Sequence, residues 1–404
     1  IYGILASAYL FISAKGWRFQ MKLVSLETFF VKPRWLFLKA VTDEGIVGWG
    51  EPILESRAHS CAAAVQEIGQ NILGEDPRNV EKLWQQMYRG GFYRGGPIAM
   101  SAISGIEMAL WDIKGKACGL SVCDMLGGAV RDRIRMYTHI KQIARRDGNT
   151  IDEMCDFARM RLREMGMTAL KYSIIPPISP IIGREELKAH VERFRAVRET
   201  IGDSVDLAID FHGRVTPANA LRIIEAIEPY HPLFVEEPVL PDNVEEMVLV
   251  SHRTSVPIAA GERLFTRWGY RELIEKQAVQ VLQPDLCHVG GIYEARKIAA
   301  MGEVYHMYVA PHNPLGPISL AACLQLDSCI PNFLVQEFPG VPEGWDLGKE
   351  LLEKPFEIKN GYIDVPKGPG LGVTVCEEAV RRLADDGWRK NTTQVYPDGS
   401  QADW

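Results

Sequence analysis

Apolar residues in this chain come in short unbroken runs, and several of those runs stop at an acid. VDLAID closes on Asp210, PLFVEE reaches Glu236 and VPIAAGE closes on Glu262, with equal spacing between the three acids. Each run reads as a buried strand, and each is followed by a stretch of helical periodicity such as PANALRIIEAIEPY. TALKYS, VQVLQPD, MYVAPH and NFLVQE extend the series. A strand–loop–helix repeat over residues 135–337 predicts a parallel β/α barrel, an α/β fold that keeps its chemistry at the mouth formed by the strands' C-terminal ends.

The pattern differs on either side of the repeat. KLVSLETFFV and WLFLKAVTDEGIVGWGE read as antiparallel strands, with Asp43-Glu44-Gly45 as a turn. Residues from about 60 to 125 carry helical periodicity broken by RGGFYRGGP, so 21–134 reads as a separate α+β domain. Residues 338–404, including KNGYIDVPKGPGLGV, hold strand and turn signals without a new βα unit and are expected to return to that domain. Residues 1–20 precede Met21-Lys22-Leu23, which reads as a natural start. Their apolar stretch lacks basic residues before it and is too short to span a bilayer, so an upstream extension is expected.

Composition narrows the function. A chain of 404 residues has room for a barrel and a second domain, and a net charge of -7 without a basic stripe argues against a nucleic-acid partner. The eight cysteines include one close pair, Cys118 and Cys123, with no second pair to complete a zinc site. They read as reduced core thiols of a cytoplasmic protein with no membrane partner. The diglycines flanking Phe92-Tyr93-Arg94 lack the preceding strand and the lysine of a phosphate loop and read as a turn. His288 and His306 show no matched partner.

Residues two apart on a strand share a face. Asp210 and His212 are therefore expected to point inward together, as are Lys171 and Ser173, while later strands bring Asp285, His312 and Glu337. One strand-end acid is most often a cap or turn residue. A series of them in register needs a cation, and Mg²⁺ suits an all-oxygen site that leaves room for substrate oxygens.

These residues resemble the enolase superfamily, in its mandelate racemase-like branch. The matching stretches are WGEP (49–52), GFYRGGP (91–97), ALWDIKGK (109–116), DFHGRV (210–215), PLFVEEPVL (232–240), AAGER (259–263), QPDL (283–286) and APHNPLGPISLAACL (310–324). The resemblance implies a modified TIM barrel of enolase type, capped by a domain built from both chain ends whose loops near Arg34 and Glu55 set specificity. It implies Asp210, Glu236 and Glu262 as Mg²⁺ ligands, His212 and His312 as acid/base catalysts, Asp285 as the residue orienting His312, and Glu337 as a stabiliser that, if protonated, donates to the intermediate. Relatives often carry Lys-x-Lys where this chain has Lys171-Tyr172-Ser173, and a serine without an activator is a poor base. Lys171 is then expected to neutralise the substrate carboxylate, the other reading being an ion pair inside the barrel. The implied activity is dehydration of a small sugar acid, an aldonate of the galactonate kind, by a homo-oligomer. Racemisation or epimerisation of a hydroxy acid, dehydration of a mannonate, gluconate or fuconate, and a non-catalytic binding role are the alternatives. The loops 140–149, 173–186 and 338–350 differ from the pattern, so chemistry transfers better than substrate. Trp35 and Trp404 are candidates for lining the site.

Overall fold

The computed structural model describes residues 21–140, 150–173, 178–338, 348–389, 393–396 and 398–403. The expected 1–20 extension, most of the 140–149 loop and Trp404 lie outside them.

The first strands follow their alternation. β1 (Leu23–Val31) pairs antiparallel with β2 (Trp35–Thr42), which pairs with β3 (Val47–Gly50). The turn at Asp43-Glu44-Gly45 is closed by a bond from Gly45 N to Thr42 O of 3.0 Å, and Gly45 takes φ 78°, where a side chain is disfavoured. A long helix, Pro97–Cys118, starts with proline in its first turn and stops at left-handed Gly119. β3 lies flush on it. A Cβ on Gly50 would sit 1.9 Å from the Gly105 carbonyl oxygen, and one on Gly48 would sit 2.2 Å from that of Ala109. Backbone touches backbone here, which requires glycine at both strand positions. That contact fixes where the next residue, Glu51, leaves the strand.

The barrel strands are β4 (Arg133–His139), β5 (Ala169–Ser173), β6 (Asp206–Asp210), β7 (Val235–Glu236), β8 (Ile258–Ala260), β9 (Val281–Leu282), β10 (Tyr308–Val309) and β11 (Gln336–Phe338). They run parallel in sequence order, and β11 pairs back onto β4. A parallel bridge between Val309 and Phe333 joins β10 to the segment entering β11 and closes the ring. Helices cover the outside, while Tyr137, Ala169, Ala208, Phe234, Ala259, Val281, Ala310 and Val335 fill the interior as a packed core. A strand buried on both faces needs no alternation, which is why these segments read as solid apolar runs.

The tail touches both parts. β12 (Tyr362–Asp364) pairs antiparallel with β4, and the helix Glu377–Arg382 ties to β1 and β2 through Arg381–Glu27 (3.0 Å) and Lys39–Glu377 (2.6 Å). All eight cysteines are free, and among the described residues no helix is long and apolar enough to cross a membrane. Trp35 is buried and stacked on Phe37 at 5.8 Å, so it is a core residue.

One buried group makes stability pH-dependent. His190, on the helix Arg184–Ile201, has its Nδ1 buried with no hydrogen-bond partner among the described residues. Burial pushes its pKa below the ordinary 6.5. The unfolded chain therefore binds more protons below pH 6.5, and stability falls as pH drops through that window. Urea unfolding at pH 7 and 5.5 is expected to show a smaller acid loss for His190→Leu than for the parent.

Candidate active site

The register of the barrel gathers the acids. Asp210 closes β6 and pairs with Glu236 on β7; Glu236 pairs with Ala259 on β8, and Glu262 follows β8 by two residues. Three carboxylates from neighbouring strands thus share one sector of the mouth. Burial, together with the charges of Asp210 and Glu337, pushes Glu236 well above the usual carboxylate range; burial and Asp210 also raise Glu262. Asp210 is different. Burial works against its charge, but His212 and Lys171 hold its pKa below the ordinary value.

Lys171 lies at the floor of this cluster and is 1% exposed. Its Nζ is 2.8 Å from Glu236 Oε1, 2.6 Å from Glu337 Oε1 and 3.7 Å from Asp210 Oδ2. The ion-pair reading of Lys171 is the one this geometry carries, because every close acid already shares its charge. Ser173, in register with Asp210, has its Oγ buried without a partner among the described residues.

The two site histidines stand on opposite sides of the mouth. His212 follows β6 and His312 follows β10, four strands apart in the ring. Strand alternation is not what places His212: β6 ends at Asp210, and His212 turns back at φ 51°. Its N–H donates to Asp210 Oδ1 (2.8 Å) and its Nε2 sits 3.2 Å from Asp210 Oδ2. Left-handed backbone at a bulky residue is costly and collects at functional sites. Burial pushes the His212 pKa down to about 3, so the ring is neutral. His312 is the opposite case. Its Nδ1 is 2.8 Å from Asp285 Oδ2 and its Nε2 is 3.1 Å from Glu262 Oε2. Burial alone would discharge it, but Glu262, Glu337 and Asp285 raise its pKa well above 6.5.

Both oxygens of Glu337 are engaged. Its Oε1 faces Lys171 and, at 2.7 Å, His139 Nε2, while Oε2 accepts from Asn313 N at 2.8 Å. Burial opposes its charge, yet Lys171, His312 and His139 hold it well below the carboxylate range.

Residues 153–379 match the enolase C-terminal domain-like family, and residues 9–127 match the mandelate racemase/muconate lactonizing enzyme N-terminal domain. D-galactonate dehydratases from Ralstonia nicotianae and Variovorax paradoxus are each 44% identical to it, over 95% of this chain and 100% of theirs. The chain belongs to the mandelate racemase/muconate lactonizing enzyme family. Solved structures agree. A mandelate racemase/muconate lactonizing enzyme from a Sulfitobacter species superposes with a TM-score of 0.85 at 33% identity, covering 95% of this chain and 100% of that one. A member of the enolase superfamily from Salmonella Typhimurium gives 0.82 at 32% identity, covering 90% and 98%. Within the mandelate racemase/muconate lactonizing enzyme family this chain is a hydro-lyase, a dehydratase.

Two residues at the mouth escape strand-by-strand reading. His139 closes β4 beside Lys171 and bonds Glu337. Its signal was present, since it too is a polar strand-end residue, but β4 mixes charged and apolar positions and has no clean apolar run. His288 does have partners: its Nδ1 is 2.8 Å from Ser101 Oγ on the helix Pro97–Cys118, and its Nε2 is 3.7 Å from Asp285 Oδ2. It backs the Asp285–His312 pair from the cap side. The cap also reaches the His312 loop directly. Arg34 pairs with Glu55 at 3.2 Å and donates to Pro314 O at 2.9 Å.

Proposed function

We propose that this hydro-lyase removes water from an acid sugar, an aldonate of the D-galactonate type, to give a 2-keto-3-deoxy acid, with Asp210, Glu236 and Glu262 holding Mg²⁺. The observation that carries the reading is the placement of two imidazoles across one mouth from each other, each against an acid of the same three-carboxylate cluster.

The donor set fits a hard divalent cation: three carboxylates on or just after consecutive strands, oxygen donors only, two of them raised by burial and by the nearby Asp210. Among the described residues no group of three or more His, Cys, Asp or Glu is arranged as a metal cluster. Lys171, His212 and His312 each take up one of the acids in this arrangement. Bound there, Mg²⁺ supplies Lewis-acid charge to the substrate carboxylate, worth several kcal/mol in this kind of chemistry.

The chain's own groups do the proton work. The neutral imidazole of His212 takes the proton from C2. His312, held by Asp285 through Nδ1, gives the proton from Nε2 to the departing 3-hydroxyl, which leaves as water. The electron pair released at C2 becomes the C2–C3 double bond, and the resulting enol tautomerises to the ketone. Lys171 and the carboxylate of Glu337 set the charge of the barrel floor beneath the reacting carbons. Arg34 and Glu55, tied to each other and to Pro314, are the cap residues proposed to sense the distal end of the sugar.

The test is a semicarbazide assay of purified protein with Mg²⁺ against D-galactonate, D-mannonate, D-gluconate and L-fuconate. Ketone formation from D-galactonate is the expected result. Turnover of a different aldonate alone keeps the chemistry and moves the specificity to the loops at the mouth. Racemisation of substrate without ketone would overturn the reading.

A further inference from the structure

The cap contains a buried acid outside the groups assigned above. Glu51 follows β3, is completely buried, and lies next to the barrel rather than in it. Its Oε1 accepts a hydrogen bond from Gly316 N at 2.7 Å and its Oε2 accepts one from Ser319 N at 2.9 Å. These N–H groups belong to the first turn of the helix Pro317–Cys329, which has no side-chain cap of its own. The first N–H groups of any helix lack partners within it and must find them elsewhere. Here the partner comes from another part of the chain, and no side chain can intervene: a Cβ on Gly316 would be 2.5 Å from Glu51 Oε1.

The helix so capped begins immediately after the loop that carries His312. That loop is short and is held at both ends. Asn313 N donates to Glu337 at the barrel end, and Gly316 N donates to Glu51 at the cap end, with Arg34 on Pro314 between them. Asp285 needs no such help, because its own loop anchors it through Cys287 N at 2.7 Å.

We infer that Glu51 is a positioning residue for the second half of the reaction: its two carboxyl oxygens pin the Gly316–Ser319 turn and thereby set His312 where it can protonate the leaving hydroxyl. The inference rests on the roles proposed above for His212 and His312. It goes beyond them in making acid catalysis, and not proton abstraction, depend on the contact between cap and barrel. Misplacing a catalytic group by about 1 Å can cost about 10²-fold in rate, so the effect should be large and confined to one step.

Two reactions separate the steps: exchange of the C2 hydrogen of D-galactonate in D₂O followed by NMR, and ketone formation followed with semicarbazide. Glu51→Gln replaces one acceptor oxygen by a donor facing an N–H. It is expected to lower the kcat for ketone formation about 10²-fold, to leave KM within a few-fold, and to keep C2 exchange. Glu51→Asp, which keeps both acceptor oxygens on a shorter side chain, should recover part of the loss. Gly316→Ala pushes on the same bond from the other side and should reproduce the pattern if Glu51→Gln is too unstable to assay. Glu107→Gln is the fold control. Glu107 is equally buried and caps another barrel helix through Ile292 N (2.8 Å) and Tyr293 N (2.9 Å), so it should lower stability while keeping the ratio of exchange to dehydration. Equal loss of both reactions in Glu51→Gln, or loss of neither, overturns the inference. His312→Asn in the same assays distinguishes the underlying reading: if it fails to separate exchange from dehydration, the assigned roles of the two histidines fall, and the inference falls with them.

Discussion

Replacing His212 by asparagine is expected to lower turnover of the aldonate by about 10²–10⁴-fold, the usual contribution of a positioned general base. Asparagine is the right substitution for a structural reason. His212 sits at φ 51°, and asparagine is among the few residues that tolerate that backbone, so the loop after β6 should keep its course. The variant should lose C2 hydrogen exchange together with ketone formation, since both begin with the same proton transfer. His312→Asn should lose ketone formation and keep exchange. The contrast between the two variants, read in one D₂O experiment, is more informative than either rate alone. Near-parental turnover in His212→Asn would remove His212 from the mechanism. Retained folding is checked by thermal unfolding, where His212→Asn should lie close to the parent.

The second large effect concerns stability. Lys171→Met is expected to destabilise the fold by about 3–5 kcal/mol, the loss seen when one member of a buried ion pair is removed and its partners stay. Lys171 Nζ lies within 3.0 Å of both Glu236 oxygens and 2.6 Å from Glu337 Oε1. Methionine fills similar space but leaves Asp210, Glu236 and Glu337 facing one another without that cation. Urea unfolding with and without added Mg²⁺ tests this. The loss should be largest without the ion and partly recovered with it, because a divalent cation among the same acids replaces some of the missing charge. It should also shrink as pH falls, since protonation relieves the repulsion. A variant as stable as the parent at neutral pH would show that Lys171 is dispensable to the barrel floor and would return it to the substrate-binding role expected from sequence.

Much of the site could be read from the chain because parallel barrels obey a simple rule: an apolar run long enough to cross the core ends at the mouth, and the residues just past its end face the chemistry. The place of Asp210, Glu236 and Glu262 at the mouth was legible for that reason, as was that of Asp285, His312 and Glu337. The β/α alternation and the separate strands of the cap were equally plain, since burial on both faces and burial on one leave different patterns. One-dimensional spacing does not carry the partner of each side chain. Spacing left Lys171 with two readings, a partner for a substrate carboxylate or an ion pair inside the barrel, and only the ring brings Glu236 and Glu337 against it. Nor does spacing show that His139 and Lys171 share one oxygen of Glu337.

Local composition therefore determined the strand ends, the acids on them and the chemistry they suit. Tertiary structure alone decided the charge each group keeps, because a buried pKa depends on which charges close the space around it. It also decided which distant segments act together: the Ser101–His288 contact behind Asp285, and Glu51 on the helix that comes after His312. Backbone N–H groups at a helix start need an acceptor, but nothing in their own sequence says which part of the chain will supply it.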